Sequence, residues 1–308
     1  MTRLKSTDIE DIETGLESYD RSLFAKTGCN LAEIAMTANS YDYEKNEGYF
    51  NGKNIKNFNI KVVPVTAGLG IISTFSETVC AILKHIGFKA SVTKNKDSSG
   101  IAEAFEDEAD AIMMSDDNRF VGINLNTRKV VDNSEATGRA FSTALALMAK
   151  GFEREDVMMA KGLKRANVIM AKKVARTNVL VMGCGPVGQS AAETLINLGA
   201  KITLYDIAEK KAQLLKSKIN KNFLHNHKNH IEVATDIKKE LANHRLIIEA
   251  TPVDDTIGKE FIYPETLVAA PGVPLGLSIE ALNAIPENHL IHDKLELGVA
   301  VMGFSLLR

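Results

Sequence analysis

An α/β architecture in two parts is predicted by three observations. Each half of the chain alternates short apolar runs with helix-forming runs, the order that builds parallel sheets. A glycine-rich turn opens the second half, between an apolar run and a helix-forming one. A helical stretch over 137–175, interrupted at Gly151 and Gly162, joins the two. The length agrees, since 308 residues give room for two domains and a sizeable core. The division falls between 1–176, an N-terminal α/β domain with a short parallel sheet, and 177–308.

Residues 6–19 read as a helix, with Ser6 or Thr7 as cap and acids in the first turn, where the helix dipole favours them. A second short helix covers 30–39, and the Asn- and Gly-rich stretch 39–59 reads as a surface excursion. "IKVVPVTAG" is a buried strand running into a glycine-containing loop, and "ISTFSETVCAILKHIG" a helix that Gly87 terminates. "KASVTK", "SGIAEAFEDEA" and "DAIMMS" continue as strand, helix and strand, which implies a parallel sheet. "FVGINLNTRKVV" then forms a hairpin turning near Asn126 and Thr127. In the second half, strands are expected at "NVLVM", "KITLY", 231–233, "RLIIEAT" and "TLVAAPGVP", with helices after the glycine turn, over 209–219 and around 236–242. The apolar tail "GVAVMGFSLL" is either core or a dimer contact.

Composition excludes several classes. A net charge of −2 gives no electrostatic reason to bind nucleic acid or an anionic membrane. No apolar run has membrane-spanning length, and the N-terminal stretch is too polar for a secretory leader. Cys29, Cys80 and Cys184 have no metal spacing and read as free thiols in a reducing compartment. His225, His227 and His230 lie in a polar turn with only Glu232 nearby, so no metal is expected. The basic run "KGLKRANVIMAKK" reads as a solvated helix face. The expectation is a cytoplasmic protein acting on a small molecule.

Chemistry enters at "VLVMGCGPVG". Gly183, Gly185 and Gly188 form GxGxxG, with an apolar strand before them and a helix-forming run after. A second strand ends in Asp206, 18 residues beyond Gly188. This is the pattern of a Rossmann dinucleotide-binding domain. Gly183 permits the tight turn, Gly185 lets backbone approach a pyrophosphate, and Gly188 lets helix and strand pack closely. Pro186 and Val187 open the helix whose N–H groups face the phosphates. Asp206 would accept hydrogen bonds from ribose hydroxyls and repel a 2′-phosphate, which favours NAD over NADP. Thr251 and Pro252, and Pro271, Gly272 and Pro274, follow two later strands and should border the same cofactor. Cys184 reads as a small spacer.

In the first half, "IMMSDDN" ends an apolar run in Asp116, Asp117 and Asn118. A turn would explain this, and so would a pocket for a cationic group. In "TAGLG", Thr66, Ala67 and Gly68 either bring backbone close to a ligand or make a tight strand-to-helix turn.

The pieces "IKVVPVTAGLGIISTFSETVCAILKHIGF", "MMSDDNRF", "VLVMGCGPVG", "IIEATPVDDTI" and "APGVP", in this order, resemble the PylD family. The likeness runs from about residue 60 to the C-terminus. It implies NAD-dependent completion of the amino acid pyrrolysine. The expected substrate is 3-methylornithine joined through an amide to the ε-nitrogen of lysine. The terminal primary amine is oxidised, ammonia is lost, and the α-amine closes a pyrroline ring. The resemblance assigns Asp116, with Asn118 beside it, to a substrate amine, leaving Asp117 to cap the turn. It adds Thr66, Ala67, Gly68 and Asp293 to the substrate site, and implies a homodimer. The same cofactor half would also serve an ornithine- or lysine-type dehydrogenase, or an NAD-binding sensor without catalysis.

Overall fold

The computed structural model describes residues 4–40, 55–149, 177–222 and 231–307. Most of the expected excursion at 39–59, the end of the helical connection and His225, His227 and His230 lie outside them.

The chain begins with one 3-10 turn, Ser6–Asp8, and helix α1 covers Ile12–Thr27. The sequence predicts this helix over 6–19. It starts later and runs further because Ile12, Leu16 and Leu23 carry one buried stripe past residue 19. Gly28, in the left-handed conformation with φ 74°, ends it. Helix α2, Leu31–Asn39, starts from a reciprocal cap between Asn30 and Glu33. Then come β1 (Asn59–Val63), α3 (Phe75–His85), β2 (Lys89–Val92), α4 (Asp97–Glu106), β3 (Ala111–Ser115), β4 (Phe120–Asn124), β5 (Val130–Asp132) and α5 (Asn133–Met148).

The first sheet has the order β2-β1-β3-β4-β5. Its first three strands are parallel, as expected, but β4 and β5 add antiparallel pairs and make the sheet mixed. Four residues between β3 and β4 are too few for a crossover, so that connection has to be a hairpin.

The second sheet is parallel throughout, in the order β11-β10-β9-β6-β7-β8. Its elements are β6 (Asn178–Met182), α6 (Pro186–Asn197), β7 (Lys201–Tyr205), α7 (Glu209–Asn222), β8 (Ile231–Val233), α8 (Ile237–Asn243), β9 (Leu246–Glu249), β10 (Leu267–Ala269), α9 (Ile279–Ala284) and β11 (Leu290–Ile291). Val179, Leu180 and Val181 of its central strand are fully buried, as a strand covered on both faces requires.

Two helices lock the halves together. Helix α5 crosses α6 closely: a Cβ at Gly138 would come within 2.3 Å of the Val187 carbonyl, and Ser190 Oγ donates to the Glu135 carbonyl at 2.6 Å. The last helix, α10 (Glu296–Leu306), returns to the first sheet, where it packs on α2, α3, α5, β4 and β5. Every one of its residues is buried, because a helix apolar on all sides has no face for solvent. The tail is therefore core and not a dimer contact. It also belongs by packing with the first sheet, although the sequence division places it in 177–308.

Candidate dinucleotide and substrate cleft

One cavity of about 580 Å3 lies where the carboxyl ends of β6, β9 and β10 face the carboxyl ends of β1 and β3. Ligands of open α/β sheets bind at such strand ends.

The wall on the second sheet is built largely of backbone. Gly183 has φ +87°, and a Cβ there would lie 2.5 Å from the Ala250 carbonyl. A Cβ at Gly188 would lie 1.8 Å from the Gly183 carbonyl, so that glycine allows strand and helix to touch. At Gly185 a Cβ would meet nothing within 4 Å, and this residue borders the cavity. Helix α6 starts there with Pro186 at its first position and no side-chain cap on Gly185. Its first-turn N–H groups are left for a ligand. Asp206 also borders the cavity; its carboxylate accepts the Cys184 N–H and the Ala208 N–H, both at 2.9 Å, which fixes its direction. Burial, helped by Asp206, pushes the Cys184 thiol up to about 12, so it stays protonated as an inert spacer. Val187, Thr251, Pro252, Pro271 and Gly272 complete this wall. Pro274, expected with them, is exposed and outside the cavity, because the loop has already turned away.

The opposite wall is built of side chains, and several expected residues are redistributed there. Asp116 borders the cavity, but it also makes the turn: its Oδ1 accepts the Asn118 and Arg119 N–H groups, each at 2.8 Å. These bonds hold its carboxyl below the usual range. Asp117 is not the cap of this turn. It reaches across to the preceding loop, where Oδ2 accepts the Leu69 N–H at 2.6 Å. Asn118 is exposed and lies outside the cavity. Thr66, Ala67 and Gly68 do not face it either. Thr66 donates twice to Asp97, at 2.7 and 2.5 Å, and a Cβ on Gly68 would fall 2.0 Å from Asp117 Oδ2. They make the tight turn, and Gly70, Ile71 and Ile72 after them form the wall.

Asp293 is buried behind the wall. Its carboxylate accepts the Tyr19 hydroxyl at 2.5 Å and the Leu297 N–H at 3.3 Å. Burial raises both Asp293 and its neighbour Glu296, and the Asp293 charge adds to the rise at Glu296. The adjacent Lys294 and Leu295 reach the cavity instead. Lys294 Nζ also donates to Asp8 at 3.1 Å, tying the N-terminal turn to the rim.

Sequence reasoning missed Asn133, Ser134 and Thr137, which enter the cavity from the first turns of α5. The cap by Asp132, whose side chain accepts the Ser134 N–H, was readable from "DNSEA". Their approach to the cavity was not, because it depends on α10: a Cβ at Gly298 would strike Thr137 Oγ1 at 2.6 Å and Asn133 Nδ2 at 2.8 Å.

Known proteins resemble this chain in both halves. The model of the pyrrolysine biosynthesis protein PylD N-terminal domain matches residues 8–131. Curated pyrrolysine synthases of Methanosarcina acetivorans and Methanosarcina barkeri are each 27% identical to this chain, over 307 and 310 residues. The match spans 100% of this chain in both cases, and 100% and 98% of the relatives. These matches support placing this chain with the PylD family. The model of the alanine dehydrogenase/PNT C-terminal domain matches residues 157–256, the region of the glycine turn and Asp206. The chain also shares its fold with quinate dehydrogenase from Corynebacterium glutamicum in complex with NAD. That match has a TM-score of 0.50 and 15% identity, covering 81% of this chain and 93% of the other. The second half is thus a dehydrogenase-type dinucleotide-binding domain, and no described helix is long and apolar enough to cross a membrane.

Proposed function

We propose that this protein is a cytoplasmic pyrrolysine synthase, which uses NAD to oxidise the terminal primary amine of 3-methylornithyl-N6-lysine. The observation that carries this reading is one cavity shared by an open glycine turn and an acid-bearing turn. Similarity to pyrrolysine synthases along the whole chain supports the choice of substrate.

The open space at Gly185 and the free first turn of α6 fit a pyrophosphate. Asp206 would accept the adenosine ribose hydroxyls, and its charge disfavours a 2′-phosphate. Thr251, Pro252, Pro271 and Gly272 would border the nicotinamide end. NAD, when bound, supplies the hydride acceptor.

The remaining work falls to the opposite wall. Val62, Ile72, Phe75 and Phe120 line it and shed water from an aliphatic chain. The oxidised carbon loses hydride only when its nitrogen lone pair is free, whereas an alkyl amine has a pKa of about 10.4. A carboxylate against that amine would raise the value further. Asp116 therefore grips a different ammonium, through the oxygen that the turn leaves over. Asn133 and Thr137 offer neutral acceptors, which favour the charged form of an amine less than a carboxylate would. Hydrolysis of the substrate imine releases ammonia and leaves an aldehyde. The α-amine of the same part adds to that carbon and expels water, forming the ring.

The test is purified protein with NAD and the conjugate, followed by NADH absorbance and product mass. One NADH per conjugate, with a product lighter by the expected elements, supports the proposal. Turnover of free ornithine or lysine in preference to the conjugate would replace it with a simpler amino-acid dehydrogenase. NAD binding without any NADH would point to a sensor.

A further inference from the structure

Glu249 is the last residue of β9 and is fully buried. Its Oε1 accepts the Thr251 N–H at 2.9 Å and also the Thr251 hydroxyl. Its Oε2 makes no hydrogen bond of good geometry, although the Gly276 N–H lies close enough to the carboxyl to favour its charged form, and Glu249 makes no ion pair among the described residues. The loop after β10 lies directly on this carboxyl. A Cβ at Gly272 would be 2.9 Å from Oε2, and one at Gly276 would be 2.5 Å from it. Gly272 N–H also reaches the Glu249 carbonyl at 3.4 Å. One buried acid thus touches both loops whose outer faces, at Thr251 and Gly272, border the cavity. Burial pushes it up to about 7, against the hydrogen bonds from Thr251 and Gly276 that favour its charged form.

The consequence lies in the direction of one hydroxyl. Thr251 has a single O–H; Glu249 Oε1 is its close acceptor, and the Val253 carbonyl is a distant second at 3.4 Å. Toward the cavity its oxygen then offers only lone pairs, which suit an N–H donor and oppose a carboxylate. We propose that Glu249 is a positioning residue that turns the Thr251 hydroxyl inward, so that Thr251 selects the carboxamide NH2 of a nicotinamide over a nicotinic acid carboxylate. This rests on the dinucleotide reading above.

The experiment measures dissociation constants of the purified full chain for NAD, nicotinic acid adenine dinucleotide and ADP-ribose. One neutral hydrogen bond plus the avoided repulsion should favour NAD over the acid analogue by roughly tenfold. Thr251→Val and Glu249→Met should each erase that preference and leave ADP-ribose affinity within about twofold. The double variant should lose no more than either single one. Glu249→Gln should keep the preference, because its amide reproduces an acceptor on one side and a donor on the other. An equal loss of ADP-ribose affinity in both single variants, additive losses in the double variant, or a wild type that binds the amide and acid cofactors equally would overturn the inference. So would loss of the preference in Glu249→Gln. A wild type that binds none of the three ligands would overturn the dinucleotide reading itself.

Discussion

The wall of the cavity on the second sheet is made of what every residue carries. Gly183, Gly185 and the uncapped start of α6 present backbone, and the side chain that matters, Asp206, is itself held by backbone N–H groups. The wall on the first sheet is made of side chains whose aim depends on distant packing. Asn133 and Thr137 are pressed into place by Gly298, which lies more than 160 residues away in the chain. Asp116 spends one oxygen on its own turn and borders the cavity as an exposed side chain. Backbone recognition is local and can be reused with many substrates. Side-chain recognition is assembled from the whole fold and belongs to one substrate.

This contrast can be broken most sharply at Gly185, where added bulk would fill the open cradle. Gly185→Val should weaken NAD binding by about 3 kcal/mol, roughly a hundredfold, without changing the melting temperature much, as calorimetric titration would show. The mirror experiment is Asp116→Asn, which preserves the turn acceptor and removes the charge. Losing the charge should raise KM for the conjugate several-fold while NAD affinity holds. If both fall together, the two walls are not separable. The pH profile probes the substrate side alone: with a neutral amine required, kcat should climb above about pH 8, toward tenfold per unit while the amine is mostly protonated. A flat profile between about pH 6 and 9, with hydride transfer shown to limit the rate, would remove that requirement. On the cofactor side, Asp206→Ser should narrow the preference for NAD over NADP by about five- to tenfold in kcat/KM.

The smallest effect is expected behind the wall. Asp293 and Glu296 are both raised by burial, so folding favours their protonated forms. The stability they allow is fully present in acid and is lost as pH rises from the ordinary carboxylate range through their folded values. Glu296→Gln should therefore raise Tm at pH 8 by about 2–5 °C and have little effect at pH 4, measurable by scanning calorimetry.

The fold was legible where periodicity and turn chemistry decide it. The alternation of elements, the hairpin at 120–132 and the glycine turn all follow from short windows of sequence. The site was legible only on its backbone-built side. Asp116 and Asp117 are adjacent acids of the same type, and nothing local says which will bridge to Leu69 and which will face the cavity. Asp293 and Lys294 are likewise neighbours, and burial of one against Tyr19 turns the other outward. Glu249 gave no sign in the sequence, because its importance lies in two loops that meet only in three dimensions.

The return of α10 bears on how the molecule is made. The first sheet shares its core with Val299, Val301, Met302 and Phe304, which follow the whole second sheet in the chain. The N-terminal half therefore leaves the ribosome with an unfilled interior and must wait for α10 before it can consolidate. Separate expression of residues 1–176 should yield an unstable fragment, and loss of the last dozen residues should damage the opposite end of the molecule first.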